Sequence, residues 1–164
     1  MKIKEIIFFV ESKFSLRDYK RFGIDILSNN GFHVSIWDFT NALHDITVNE
    51  NYYLDLDLIE FSNISDILNQ MKSIKVTTLI INFVSYNIKT IPIYNVIRNK
   101  KLNYCFRSDA SPGATVKKSL KIYLDKFRRL KMKKIINYFL HLFINQHSKY
   151  FMPSTRFVLL GGQK

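Results

Sequence analysis

The chain has 164 residues, 47% hydrophobic and 23% charged, globular values that argue against a disordered chain, with enough length to bury one core. Its 25 Lys and Arg against 13 Asp and Glu leave a net charge of +12, so lipid headgroups, nucleic acid or phosphorylated substrates attract it. A single cysteine, Cys105, excludes an internal disulfide and a cysteine-based zinc cluster.

The opening MKIKEIIFFVESKF does not read as a signal peptide, because its apolar run, Ile6 to Val10, is short and Glu11 follows at once. Glu5 to Val10 reads instead as a strand buried on both faces. A helix is expected over Leu16 to Asn29, capped by Ser15, with Tyr19, Phe22, Ile26 and Leu27 at helical spacing and Asn30-Gly31 closing it. In Phe32 to Trp37 the apolar residues alternate with His33 and Ser35, which predicts a second strand and a right-handed βαβ unit. Asp38 to Tyr53 is polar and irregular and is expected to be a loop. A short strand over Tyr53 to Phe61 and a helix over Ile64 to Lys72, capped by Ser62 or Ser65, follow. Thr77 to Val84 predicts another buried strand, and Ile91 to Lys101 a helix with Pro92 in its first turn. Leu102 to Phe106 predicts a strand, 108–115 a turn-rich loop, and Arg156 to Leu160 a last strand ending at Gly161-Gly162. Strands alternating with helices predict an α/β, Rossmann-like, doubly wound and mainly parallel sheet, in a single domain over 1–164.

Ligands of such sheets bind beyond the carboxyl ends of the strands, which directs attention to four loops. The first, 11–16, lacks the glycines of a dinucleotide site, but Glu11, Ser12, Arg17, Asp18 and Arg21 cluster near it. Ser12 and Arg17 are candidate substrate contacts there; a capped helix with a solvated first turn is the alternative. Asp38, at the end of the second strand, stands where an acid can bind ribose hydroxyls, or serves the fold. In 107–115, Asp109 is a candidate base beside the Pro112-Gly113 turn; a plain connection is the alternative. Gly161-Gly162 permits close backbone approach or a chain turn. The four histidines have no metal-ligand spacing, and no catalytic motif or cofactor fingerprint is present, so no cofactor is expected.

Residues 116–150 form a basic amphipathic helical segment. Between Lys117 and Lys134 it carries nine Lys or Arg and one acid, Asp125, a net +8 of the chain's +12. Val116, Leu120, Tyr123, Leu124, Phe127 and Leu130 make an apolar stripe, and Lys117, Lys118, Lys121, Arg128, Arg129 and Lys131 lie mostly off it. A second stripe runs Ile135, Tyr138, Phe139, Leu142 and Phe143. Such a segment either packs on the sheet with a solvated basic face or lies on an anionic membrane surface, where each Lys or Arg adds about 1 kcal/mol. Nucleic-acid binding is the third reading, disfavoured by the wide aromatic stripe and by the absence of a recognised nucleic-acid-binding pattern.

The stretch IIFFVESKFSLRDYKRFGIDILSNNGFHVSIWDF resembles the N-terminus of bacterial surface-polysaccharide biosynthesis proteins related to GT-B glycosyltransferases. The matching residues are Arg17, Asp18, Tyr19, Arg21, Phe22 and Gly23, then Gly31, Phe32, Val34, Trp37 and Asp38, and the closing FVLLGG is similar to the strand that ends the family's N-terminal domain. The resemblance covers about the first 40 residues well and the rest by layout. It implies an acceptor-side domain for a lipid-linked saccharide, peripheral to the cytoplasmic face of the membrane. It also implies a nucleotide-sugar site on a C-terminal domain that these residues do not include, so that transfer would need a separate donor-binding chain. One departure is the first-strand loop, which has no glycine pair. A non-catalytic scaffold of a polysaccharide assembly is the other reading.

Overall fold

A computed structural model describes residues 3–44, 56–108, 140, 143 and 157–160. Among these residues six strands form one sheet: β1 (Glu5–Val10), β2 (His33–Asp38), β3 (Asp57–Glu60), β4 (Thr78–Asn82), β5 (Asn103–Ser108) and β6 (Phe157–Leu160). Their order is β3-β2-β1-β4-β5-β6, and every neighbouring pair is parallel. This is the Rossmann-like α/β sheet that the alternation of strands and helices predicts.

The centre of the sheet follows from hydropathy. Ile6 to Val10 are all buried, as a strand covered on both faces requires. Alternation then assigns side chains to faces. Ile6, Phe8 and Val10 join Val34, Ile36 and Ile81 under Phe14 and Ile24. Ile7 and Phe9 join Trp37, Ile80 and Tyr104 on the other face. That second face is covered by α4 (Ile64–Met71), through Ile67 and Met71, and by α5 (Ile91–Asn99), through Ile93, Tyr94 and Ile97. Each such large apolar side chain contributes about 1.5–3 kcal/mol by leaving water.

The first face is covered by two short helices, α1 (Leu16–Phe22) and α2 (Ile24–Asn29), where the sequence predicts a single helix. Gly23 lies between them at φ +63°. A left-handed residue interrupts the hydrogen-bond ladder, and glycine adopts that conformation without steric cost. Ser15 caps α1 as expected, in a reciprocal box with Asp18. Gly31, at φ +81°, closes α2: Gly31 N–H donates to Ser28 O at 2.9 Å and Phe32 N–H to Leu27 O at 3.2 Å.

Three further expectations are corrected. A short helix, α3 (Thr40–His44), lies where a loop is expected; five residues are too few for a periodic signal. The cap of α4 is Asn63, whose side chain accepts from the Asp66 N–H at 3.0 Å, and neither Ser62 nor Ser65. Helix α5 ends at Asn99, because Lys101 adopts φ +52°. Within 116–150 only Leu140 and Phe143 are described; both are helical and exposed, at 44% and 55%. Phe143 belongs to the second apolar stripe. The basic residues Lys117, Lys118, Lys121, Arg128, Arg129 and Lys131 lie outside the described residues, as do Asp109 and Gly161-Gly162. No helix among the described residues is long and apolar enough to cross a membrane.

Candidate functional site: the crevice between β1 and β4

The sheet turns β1 and β4 into neighbours whose chains depart in opposite directions. Strand β1 leads leftward to β2, and β4 leads rightward to β5. The connections therefore lie on opposite faces, and the carboxyl ends of the two strands leave a crevice between them. Glu11 follows β1 on one side; Phe83, Val84 and Ser85 follow β4 on the other.

Glu11 bridges this gap. Its carboxylate accepts the Ser85 N–H at 3.0 Å and, through its other oxygen, the Ser85 hydroxyl. Beside the bridge is a cavity of about 410 Å³, within the range of small-molecule sites. Its polar lining comes from Glu11, Ser12, Asp18, Arg21 and His44. Its apolar wall includes Phe22 and Phe83, whose rings stack at 4.5 Å and 11°. Phe8 continues the stack from below, 5.2 Å from Phe22. The aromatic wall is thus anchored in the core, and stacked rings of this kind add about 0.5–1.5 kcal/mol beyond their burial.

The loop into α1 is held rigidly. Buried Asp38 accepts the Phe14 N–H at 3.2 Å and, with its other oxygen, the Thr40 N–H at 2.8 Å. One oxygen ties the end of β2 to the β1–α1 loop and the other holds the start of α3; Asp38 is buried and absent from the lining of the crevice, so it serves the fold and not a ribose. Asp18 accepts the Ser15 N–H at 3.1 Å and the Ser15 hydroxyl at 2.6 Å, while its own N–H donates to Ser15 Oγ at 3.3 Å.

On the β4 side, Asn82 and Tyr94 fix the departing backbone. Asn82 Nδ2 donates to Tyr94 Oη at 2.8 Å, and the Tyr94 hydroxyl donates to Val84 O at 2.5 Å. Val84 N–H donates to Asn82 Oδ1 at 3.2 Å. Burial pushes the Tyr94 hydroxyl well above its ordinary range, opposed in part by the Asn82 hydrogen bond. It stays protonated and donates, which holds Val84 and hence Ser85 in place.

Of the candidate contacts read from the sequence, Ser12 lines the crevice. Arg17 is exposed on the first turn of α1 and is not part of the lining. Glu11, Asp18 and Arg21, noted near the same rim, come together in it. His44, Phe83 and Ser85 were not singled out by the sequence as site residues, and Phe22 was read there only as part of the helix and of the opening motif. Ser85 follows a strand at its carboxyl end, which is a usable signal, but only the pairing of β1 with β4 sets that loop above the others.

A larger cavity, about 820 Å³, opens at the opposite end of the sheet, where Ile3, Ile6, Leu27, Phe32 and Leu79 contribute to its lining. It lacks convergent polar groups beyond Lys4 and Asn30, so the smaller crevice is the better site despite its size. Burial raises the Cys105 thiol above its ordinary value, which keeps it protonated and unreactive. Among the described residues no group of three or more His, Cys, Asp or Glu is placed to hold a metal ion. No family model, curated protein or solved structure matches this chain, so its fold rests on the order and direction of its own strands.

Proposed function

We propose that this chain is the acceptor-side, membrane-docking domain of a glycosyltransferase of cell-surface polysaccharide biosynthesis. It holds a lipid-linked saccharide in the β1–β4 crevice, while a nucleotide-sugar donor is held by a separate domain or chain. The observation that carries the reading is the composition of the crevice. A sugar presents hydroxyl groups that both donate and accept, and C–H faces that pack on rings. Glu11 and Asp18 can accept, Arg21 can donate, Ser12 can do both, and Phe22 with Phe83 offers an apolar face. Asp18, Arg21 and Phe22 are also residues of the opening motif that resembles the polysaccharide proteins. The reading thus has two supports that meet at the same side chains.

The membrane part rests on the basic run between Lys117 and Lys134 and on Leu140 and Phe143, one turn apart and exposed on a helix. A cationic segment with part-exposed apolar side chains suits the headgroup region of an anionic bilayer at its cytoplasmic face.

Co-sedimentation with liposomes tests both parts. The full chain is expected to pellet with anionic and not with neutral liposomes. A variant with Lys117, Lys118, Lys121, Arg128 and Arg129 changed to Gln is expected to lose up to about 5 kcal/mol of that binding. A polyprenyl-linked saccharide added to the anionic liposomes is expected to tighten binding, and R21A to remove the increment. Wild type that ignores both liposome types refutes docking; a saccharide increment unaffected by R21A refutes the crevice.

A further inference from the structure

The crevice carries a distinction between ligand classes that the fold alone does not. In Rossmann-like sheets the first loop and the following helix commonly receive phosphate, using free backbone N–H groups and the positive end of the helix. Here three of those donors are consumed internally. The Phe14 N–H goes to Asp38, the Ser15 N–H to Asp18, and the Asp18 N–H to Ser15 Oγ. Glu11, Asp18 and Asp38 put three carboxylates around the same loop. The nearby cation Lys13 is paired with Glu60, and α1 is only seven residues long. At this loop an incoming phosphate meets three carboxylates and three satisfied donors, with the Arg21 guanidinium on the rim as the cation opposing them.

The same geometry prepares one strong acceptor. Ser85 binds both oxygens of Glu11, through its N–H and its hydroxyl. Each carboxylate oxygen has a second lone pair, so the bridge fixes the orientation of Glu11 without exhausting it. From this we infer that Glu11 is the group that reads a ligand hydroxyl in the crevice, that Ser85 is its positioning residue, and that the part of the ligand meeting them is an uncharged polyol rather than a phosphate. The inference rests on the saccharide reading of the crevice and narrows it. It concerns a serine that reaches the site only through the pairing of β1 with β4. The ligand hydroxyl donates to the Glu11 carboxylate, C–H groups lie on Phe22 and Phe83, and Arg21 takes a ligand oxygen from the rim.

The test is an amide NMR titration of the full chain with neutral saccharides (hexoses and N-acetylhexosamines) and, in separate arms, with inorganic phosphate and a nucleoside diphosphate. Expected are shifts at Glu11, Ser85, Arg21 and Phe22 with a neutral saccharide, and none there with the phosphate compounds. A charge-assisted hydrogen bond is worth more than a neutral one, so E11Q is expected to weaken saccharide binding about tenfold. S85A should weaken it about threefold to tenfold, with S85T restoring it, since threonine keeps both the N–H and the hydroxyl. A purely structural serine would lower thermal stability in S85A without a threonine-rescued change in affinity, and that result overturns the assignment of Ser85. Phosphate or nucleotide shifts centred on these amides overturn the ligand class. Saccharide shifts elsewhere on the protein leave it a saccharide binder but remove Glu11 from the site. The absence of any saccharide shift refutes the saccharide reading itself, and the inference with it.

Discussion

Tyr94 shows how one hydroxyl can set the position of a functional loop. It accepts from Asn82 and donates to Val84 O in a buried setting, and each such bond made in the interior guards against a larger penalty for leaving its partner unpaired. Tyr104 is also held neutral by burial, with its hydroxyl pushed up to about 12. The sign of the pH effect follows. The folded protein favours the protonated form, so the stabilisation from these tyrosines is complete below the ordinary value of 10.0 and is lost as pH rises toward and through 12. Tyrosinate absorbance from Tyr94 and Tyr104 is therefore expected to rise only together with loss of near-UV circular dichroism. Titration of all nine tyrosines as one class with the fold intact would contradict this. At this scale Glu11, Ser12, Asp18 and Arg21 were legible as a polar cluster after an apolar run. Ser85 was not, because a serine after a strand is ordinary until its partner is known.

Among the elements, helix ends are where local sequence and structure part company. At α5 the chain closes as at α2, with Leu102 N–H donating to Ile97 O at 3.0 Å and Lys101 N–H to Arg98 O at 3.1 Å. The left-handed position is filled by Gly31 after α2 and by Lys101 after α5. A side chain in that region costs about 1–2 kcal/mol, although glycine also loses more entropy on folding. K101G is therefore expected to stabilise the protein by up to about 1 kcal/mol, measured by urea unfolding at unchanged slope. A loss of stability would mean that the Lys101 side chain contributes more than its backbone costs. This also explains why the sequence extends α5 too far: Asn99-Lys100-Lys101 contains no glycine to mark its end. Lys100 compensates elsewhere, with its ammonium donating to the carbonyls of Lys72 at 2.7 Å and Ile74 at 3.0 Å beyond α4, where cations are favoured.

For the whole molecule, the sheet works as a divider between two apolar layers, and the aromatics are divided between them. Phe9 is fully buried and packs on Trp37 at 5.3 Å and Phe39 at 4.9 Å; Trp37 and Phe39 in turn meet Phe61 at 5.4 Å each. This cluster joins β1, β2 and the segment after β3. Truncation leaves a void that rigid strands fill poorly, so F9A is expected to cost about 3–5 kcal/mol, a large share of the roughly 5–15 kcal/mol typical of a domain. Chemical denaturation measures it, and a loss under 1 kcal/mol would show that the sheet can collapse around the gap. On the opposite face, Phe8, Phe22 and Phe83 run from the core to the crevice. A variant that disturbs that stack is thus placed to change ligand contact as well as stability.

The sequence by itself determined the class of the fold: apolar runs of strand length, separated by capped amphipathic helices, have few packings other than a covered parallel sheet. It also determined where acids, serine and arginine cluster after the first strand, since those residues are adjacent in the chain. Only the tertiary structure decided the strand order, and with it which loops meet. Hydropathy records that a strand is buried but not which neighbour pairs with it, because all parallel neighbours satisfy the same backbone hydrogen bonds. The meeting of Glu11 with Ser85, 74 positions apart, follows from that order alone.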